Sequence, residues 1–390
     1  MPTRLTIEAE IWSNNNQERL NKEVRRRTDV VSGNHDEANQ LASESLALAQ
    51  ALGVAAGGLA PLFITSGLAA AFSDRLAEAA SDLREADRLA EAAGDYGTVG
   101  RAQLNLADVL LRSDPQSAKN AARSAVVHAR RTGRRDFLGV AVGNLANALM
   151  ELGEWDEAAT VFHDALEVDH LDQENVHVKA GWLAGLRGDG DGAAGAQESL
   201  PRLRASEDPQ DQATVGVLDA LGALCAGDVA GALGHARDVL DRAGALGIGA
   251  DGPRWAWPLA ARAARSLGES ATVSTLLAVL GAHPVGHLPP ILRAECELVA
   301  VLVAVDAERE DRSSVPAVAE AVDSLREVGN PYQLAHGLID YAEVLLGAGE
   351  EGAEAALAES KDIAERLGCP PLLARAAAVG SMSALDGASG

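Results

Sequence analysis

Small and apolar residues recur along this chain at helical spacing, and the helical stretches themselves return about every forty residues. Ala38, Ala79, Ala118, Ala158, Ala193 and Ala232 each open such a stretch, at successive distances of 41, 39, 40, 35 and 39 residues. Four positions on stand Ala42, Leu83, Ala122, Phe162, Gln197 and Ala236. Three further on stand Ser45, Ala86, Ala125, Ala165, Leu200 and Val239. Steps of four and then three hold three side chains on one face of an α-helix, so the pattern predicts a series of amphipathic helices. A second apolar stretch precedes each one, across breaks such as Gly33-Asn34-His35, Gly153-Glu154-Trp155, Gly188-Asp189-Gly190 and Gly227-Asp228-Val229. Breaks this short force the two helices antiparallel.

The period predicts an all-α fold. About nine helix pairs are expected over 17–367, behind an N-terminal segment at 1–16. A capping helix and frayed tail are expected at 368–390. The leading helix of the first pair, near 17–31, holds Arg25, Arg26 and Arg27 and little apolar stripe. No long Pro/Ser linker interrupts the pattern, which favours one continuous array over separate domains. The composition agrees: 47% of residues are apolar but only 3% aromatic, and alanine-rich cores suit closely packed helices.

A net charge of −24 opposes a phosphate backbone over most of the surface, so nucleic acid is not expected as a direct partner. No apolar run reaches membrane-spanning length. Cys225, Cys296 and Cys369 are odd in number and far apart, which favours neither a disulfide framework nor a zinc site. Arg4, Glu8 and Glu10 stand where a signal peptide would need its apolar stretch, and a cytoplasmic location is the expectation.

Val142 through Leu166 reads Leu145, Ala146, Leu149, Gly153, Trp155, Ala158, Phe162 and Ala165 at repeat positions. Phe63, Gly67, Ala79, Leu83 and Ala86 form a second copy; Leu106, Ala107, Leu110, Ala118, Ala122 and Ala125 form a third. These residues resemble the tetratricopeptide repeat, although the period is nearer forty than thirty-four and the usual closing proline is missing. The resemblance implies a right-handed α-solenoid whose first helices line a concave groove. A narrower likeness lies in Gly286 to Ala294 and Gly329 to His336. Those strings resemble the helical C-terminal regions of large bacterial signalling proteins, whose cyclase-like or activator and ATPase modules this chain does not contain.

The resemblance implies that candidate ligand-binding residues stand on the first helices. Asn105 and Asn144 begin identical Asn-Leu-Ala tripeptides. Arg101, Asp108, Arg112 and Asn147 fall beside them, as do Lys179 and Trp182 one repeat later and Trp255, Arg262 and Arg265 farther on. An amide side chain both donates to and accepts from a peptide backbone. Each residue also has a structural reading: Asn bridging repeats, Arg paired with carboxylates, Trp packed. The expected function is therefore non-catalytic recognition of a protein or peptide, with regulation in bacterial signalling or transcription implied by the resemblance. A small-molecule-sensing domain is the alternative, and a homo-oligomer is compatible with either.

Chemistry-bearing motifs are few. The chain has no Gly-Lys dipeptide for a P-loop, no HExxH and no Gly-x-Ser-x-Gly elbow. Gly188 to Gly192 resembles a calcium loop but no Glu follows at the required spacing, and it sits where a helix break belongs. His163, Glu167 and His170 have metal-ligand spacing but are read as a solvent face. No metal, cofactor or catalytic residue is expected.

Overall fold

The computed structural model describes residues 35–73, 75–167, 173–284, 286–307 and 314–386. The leading helix expected near 17–31, His170 and most of the polar stretch at 308–314 lie outside them. The described residues are helical throughout their regular structure, with no strand. They fall into two compact units, one up to Val109 and one from Leu110 on.

In the first unit, α1 (His35–Ala51) packs on α2 (Ala56–Phe72), and α2 pairs with α3 (Leu76–Ala93). The last helix, α4 (Tyr96–Leu110), adds Val99 to a buried cluster with Ala60, Leu89 and Ala90. Ala79, Leu83 and Ala86 are buried, as their spacing predicts.

The second unit begins with α5 (Pro115–Thr132). Successive pairs are α6 (Arg135–Glu151) with α7 (Trp155–Leu166) and α8 (Gln173–Leu186) with α9 (Gly190–Glu198). A short helix, α10 (Pro201–Ala205), precedes the pair α11 (Pro209–Cys225) and α12 (Val229–Leu240). Another, α13 (Ala243–Leu246), precedes α14 (Asp251–Ser266) with α15 (Ser270–Gly281). Then come α16 (Pro290–Ala307) with α17 (Val315–Val328), α18 (Pro331–Ala348) with α19 (Ala353–Leu367), and the closing α20 (Pro370–Asp386). Each first helix touches the next, α6 to α8 to α11 to α14 to α16 to α18 to α20, so they form one continuous inner row.

Local chemistry explains the helix ends. Asp114 caps α5 by accepting from the Ser117 backbone N–H at 3.0 Å, and Pro115 occupies the first turn where its missing N–H is harmless. Asp189 does the same for α9, accepting from Gly192 N–H at 2.9 Å. That bond explains the calcium-loop-like string as a helix cap. Asp228 caps α12 and Asn330 caps α18 in the same way.

The anchor alanines mark the closest helix approaches. Ala118, Ala158, Ala193 and Ala232 are buried, and so are Ala125, Ala165, Leu200 and Val239 seven positions later. Glycine stands at another close approach, on the first helix α8. A Cβ built on Gly181 would stand 2.5 Å from Ala196 Cβ and 2.8 Å from Leu218 Cδ1. Gly181→Val is therefore expected to destabilise by about 1–3 kcal/mol through overpacking. Urea denaturation checks this, and a midpoint equal to wild type would refute the close approach.

The structure adds two features that the period does not announce. The short helix α10 is pinned by Glu174, whose carboxylate accepts from the Arg202 and Leu203 backbone N–H groups at 3.2 and 2.8 Å. It carries the buried Leu203 into the core beside Leu200, which lies beyond the end of α9. At the C-terminus, the helix expected to cap the array continues through Asp386, so it takes up most of 368–390.

Candidate functional site

The inner row of the second unit places charged and aromatic side chains at steps of three and four on successive first helices. On α6 the same line runs through Val140, Asn144 and Asn147 to Glu151. Burial deepens along that line: Val140 is 44% exposed, whereas Asn144, Asn147 and Glu151 are buried. The C-terminal end of α6 meets the N-terminal ends of α14 and α18, where a carboxylate suits the helix dipoles.

There the side chains form a knot. Glu151 is ion-paired with Arg254 of α14, and its second oxygen accepts from Asn330 Nδ2 of α18 at 2.6 Å. Arg254 also reaches Asp251 Oδ1 at 2.8 Å. The other Asp251 oxygen accepts from Asn147 Nδ2 and, at 3.2 Å, from Lys179 Nζ of α8. Lys179 lies 3.4 Å from the ring centroid of Trp182, and Trp182 faces Trp255 at 6.1 Å between centroids. Burial pushes the Asp251 carboxyl up, but Lys179 and Arg254 outweigh it and hold the group well below its ordinary range.

A second cluster continues along the row. Arg262 reaches Glu295 of α16 at 2.6 Å, and Arg265 reaches Asp340 of α18 at 3.1 Å. Asp340 also accepts from Arg375 of α20 at 2.7 Å. Burial raises the Glu295 carboxyl despite Arg262, whereas three arginines pull Asp340 down against its burial. Arg375 Nη1 stands 3.0 Å from His336 Nδ1, and Tyr332 meets the same imidazole edge-on at 4.8 Å between centroids.

The ends of the unit come together around these clusters. Trp155 of α7 packs against Tyr332 at 5.5 Å between centroids. Arg187 Nε donates to the Leu367 carbonyl at 3.1 Å, and Cys369 Sγ lies 3.2 Å from the Leu186 carbonyl. Burial pushes the Cys369 thiol up to about 11, so it remains protonated at neutral pH. Two glycines with left-handed backbone make the contact possible. A Cβ on Gly153 would stand 2.8 Å from Pro331, and one on Gly188 2.6 Å from Pro371. The second unit thus curves until residues near 150–190 seat on residues near 330–371.

The sequence-predicted residues divide accordingly. Asn147, Lys179, Trp182 and Trp255 are brought together in the first cluster, and Arg262 and Arg265 in the second. Trp182 and Trp255 are almost wholly buried, and Trp182 Nε1 donates to the Thr214 carbonyl at 3.0 Å. Asn144 lies buried one turn before Asn147. Arg112 is half-buried, its Cδ 3.5 Å from where a Gly249 Cβ would be. In the first unit, Arg101, Asn105 and Asp108 are half-buried along one face of α4, and Asn105 Nδ2 donates to the Arg101 carbonyl at 2.9 Å. His163 and Glu167 stand exposed, 3.5 Å apart. Among the described residues no group of three or more His, Cys, Asp or Glu side chains is arranged to hold a metal ion.

Sequence reasoning missed the partners: Glu151, Asp251, Arg254, Glu295, Asn330, Asp340 and Arg375. A signal was present, since Glu295 and Asp340 interrupt largely apolar helices. Six buried polar atoms of this face have no partner among the described residues: Asn147 Oδ1, Arg254 Nε, Trp255 Nε1, Arg262 Nε, Arg265 Nε and Gln333 Oε1.

The His336 geometry carries a pH prediction. Arginine only donates, so Nδ1 accepts and the ring is neutral. Burial, then Arg262 and Arg375, hold its pKa well below the ordinary value. On acidification the unfolded chain therefore binds this proton first, at about pH 6.5. The stability that neutral His336 contributes is complete above that pH and declines below it. His336→Gln is expected to flatten the fall in urea midpoint between neutral and mildly acid pH; parallel curves for the two proteins would exclude the imidazole.

No family model matches this sequence, and no curated protein matches it. Among solved structures, the apo form of the quorum sensor NprR from B. thuringiensis is similar over 92% of this chain and 96% of that one, with 12% identity and a TM-score of 0.41. At that level the likeness says nothing of ligand or partner. No helix among the described residues is long and apolar enough to cross a membrane.

Proposed function

We propose that this chain is a non-catalytic binding scaffold of tetratricopeptide-like type, which takes a protein or peptide segment on the inner row of its second unit and serves a regulatory role. The observation that carries the reading is the set of buried, unpartnered polar atoms on three different first helices: Asn147 Oδ1 of α6, the Arg254, Trp255, Arg262 and Arg265 N–H groups of α14, and Gln333 Oε1 of α18. Two acceptors and four donors suit the carbonyl and amide groups of a peptide. Unpaired buried polar groups are costly, so a ligand that meets them gains differential affinity. Val140, which is exposed, gives the row a more open approach at the start of α6. Entry beyond Asn144 requires the ends of the unit to part, which makes binding a shift between a closed and an opened form.

The sealed state of the face favours one second reading. A small polar molecule fits a closed face better than an extended segment does, and would be sensed rather than scaffolded. Affinity capture of partners with wild type and Asn144→Ala, alongside native mass spectrometry of the purified protein, separates the two. The scaffold reading expects a protein partner that is lost in the variant while thermal unfolding is unchanged. A retained small molecule, with partners indifferent to Asn144, overturns it.

A further inference from the structure

Away from the inner row, α5 and the turn that follows it are basic within an acidic protein. Residues 115–135 carry Lys119, Arg123, Arg130, Arg131, Arg134 and Arg135 and no Asp or Glu, whereas the whole chain has a net charge of −24. Two of these cations serve the packing of α7: Lys119 Nζ reaches Glu154 at 2.7 Å, and Arg123 pairs with Glu157. The rest lie farther along. Val127, Arg130 and Arg131 share one face of the helix at steps of three and four, and all three are exposed, Val127 by 62%. Arg134 follows in the turn and lays its guanidinium 4.0 Å from the ring centroid of Phe137 at the start of α6.

The helix dipole accounts for two arginines in the last turn of α5. It accounts neither for an exposed valine one turn earlier nor for a helix wholly without acid. A valine ringed by arginines is the composition of a docking patch whose partner is both apolar and anionic.

We propose that Val127, Arg130, Arg131, Arg134 and the Phe137 ring form a docking surface for an acidic amphipathic peptide segment of another protein. Carboxylates of the segment pair with Arg130 and Arg131, and one of its apolar side chains covers Val127. This surface is independent of the inner row. Charge complementarity favours a short acidic segment over nucleic acid. From Val127 to Arg134 the patch spans only about 10 Å at the helical rise, and a longer polyanion would run onto repelling acidic surface.

The test is fluorescence anisotropy of the full chain with a labelled peptide carrying leucines at helical spacing and glutamates elsewhere. A leucine-free glutamate peptide and an oligothymidylate serve as competitors. The amphipathic peptide should bind saturably and weaken as salt rises. Arg130→Glu/Arg131→Glu should weaken it by about tenfold or more, because two charge-assisted contacts become repulsions. Val127→Asp should weaken it as well, and Arg130→Gln/Arg131→Gln should act in the same direction if the reversed variant folds poorly. Unchanged binding in these variants, or no binding at all, overturns the proposal. An oligothymidylate that competes as well as the peptide makes the patch a nucleic-acid surface instead. Self-association abolished by the charge reversal would make it an interface between copies.

Discussion

Arg254→Met is expected to destabilise the second unit by about 3–5 kcal/mol, because it strips the cation from the buried Glu151 and leaves the half-buried Asp251 with Lys179 as its remaining cation. Arg254 is 3% exposed and neutralises both Glu151 and Asp251. Methionine fills much of the space but leaves Glu151 with only the Asn330 amide. The Coulomb attraction inside such a knot is largely cancelled by desolvation, so the loss measures a stranded charge rather than the net value of the pair. A second substitution tests that account. Adding Glu151→Leu to Arg254→Met removes the stranded carboxylate and should restore much of the stability. Chemical denaturation of both variants checks this: if the double variant is as unstable as the single, the ion pair is not the cause.

Trp155→Ala should cost about 3–5 kcal/mol, the usual range for truncating a wholly buried large aromatic. The ring is 1% exposed, and its Nε1 donates to the Met150 carbonyl at 2.9 Å. It also packs on Tyr332, which belongs to the far end of the unit. The cavity therefore opens at the place where residues distant in sequence meet. Hydrogen exchange should accelerate together near residues 150–190 and near 330–371, with α11 and α12 less affected. Faster exchange confined to α7 and its sequence neighbours would show that the two ends do not depend on each other.

The helices were legible because their pattern is local. Ala118, Ala158 and Ala232 were found by spacing alone and all prove to be buried at helix contacts. The short helix α10 was not found, since five residues hold too little periodicity and its backbone is fixed by Glu174 from another helix. The face that carries Asn147, Lys179, Arg262 and Arg265 could likewise be named from position within a repeat. What each side chain does there could not. Asn147 meets Asp251 across 104 residues and Asn330 meets Glu151 across 179, separations set by curvature accumulated over several repeats. No pattern forty residues long encodes that sum. Arg262 and Arg265, expected at the groove, hold Glu295 and Asp340 in the structure.

The contacts of Gly153 with Pro331 and of Gly188 with Pro371 fix a number. An open stack of helix pairs tolerates one more or one fewer, because each pair touches only its neighbours. Here the pairs between α8 and α18 must add up to the turn that brings those glycines onto those prolines. Deleting a pair, or duplicating one, would leave Glu151 facing the wrong helix. The unit counts its own repeats, and evolution by repeat gain or loss is closed to this stretch of the chain while it stays open to its surface.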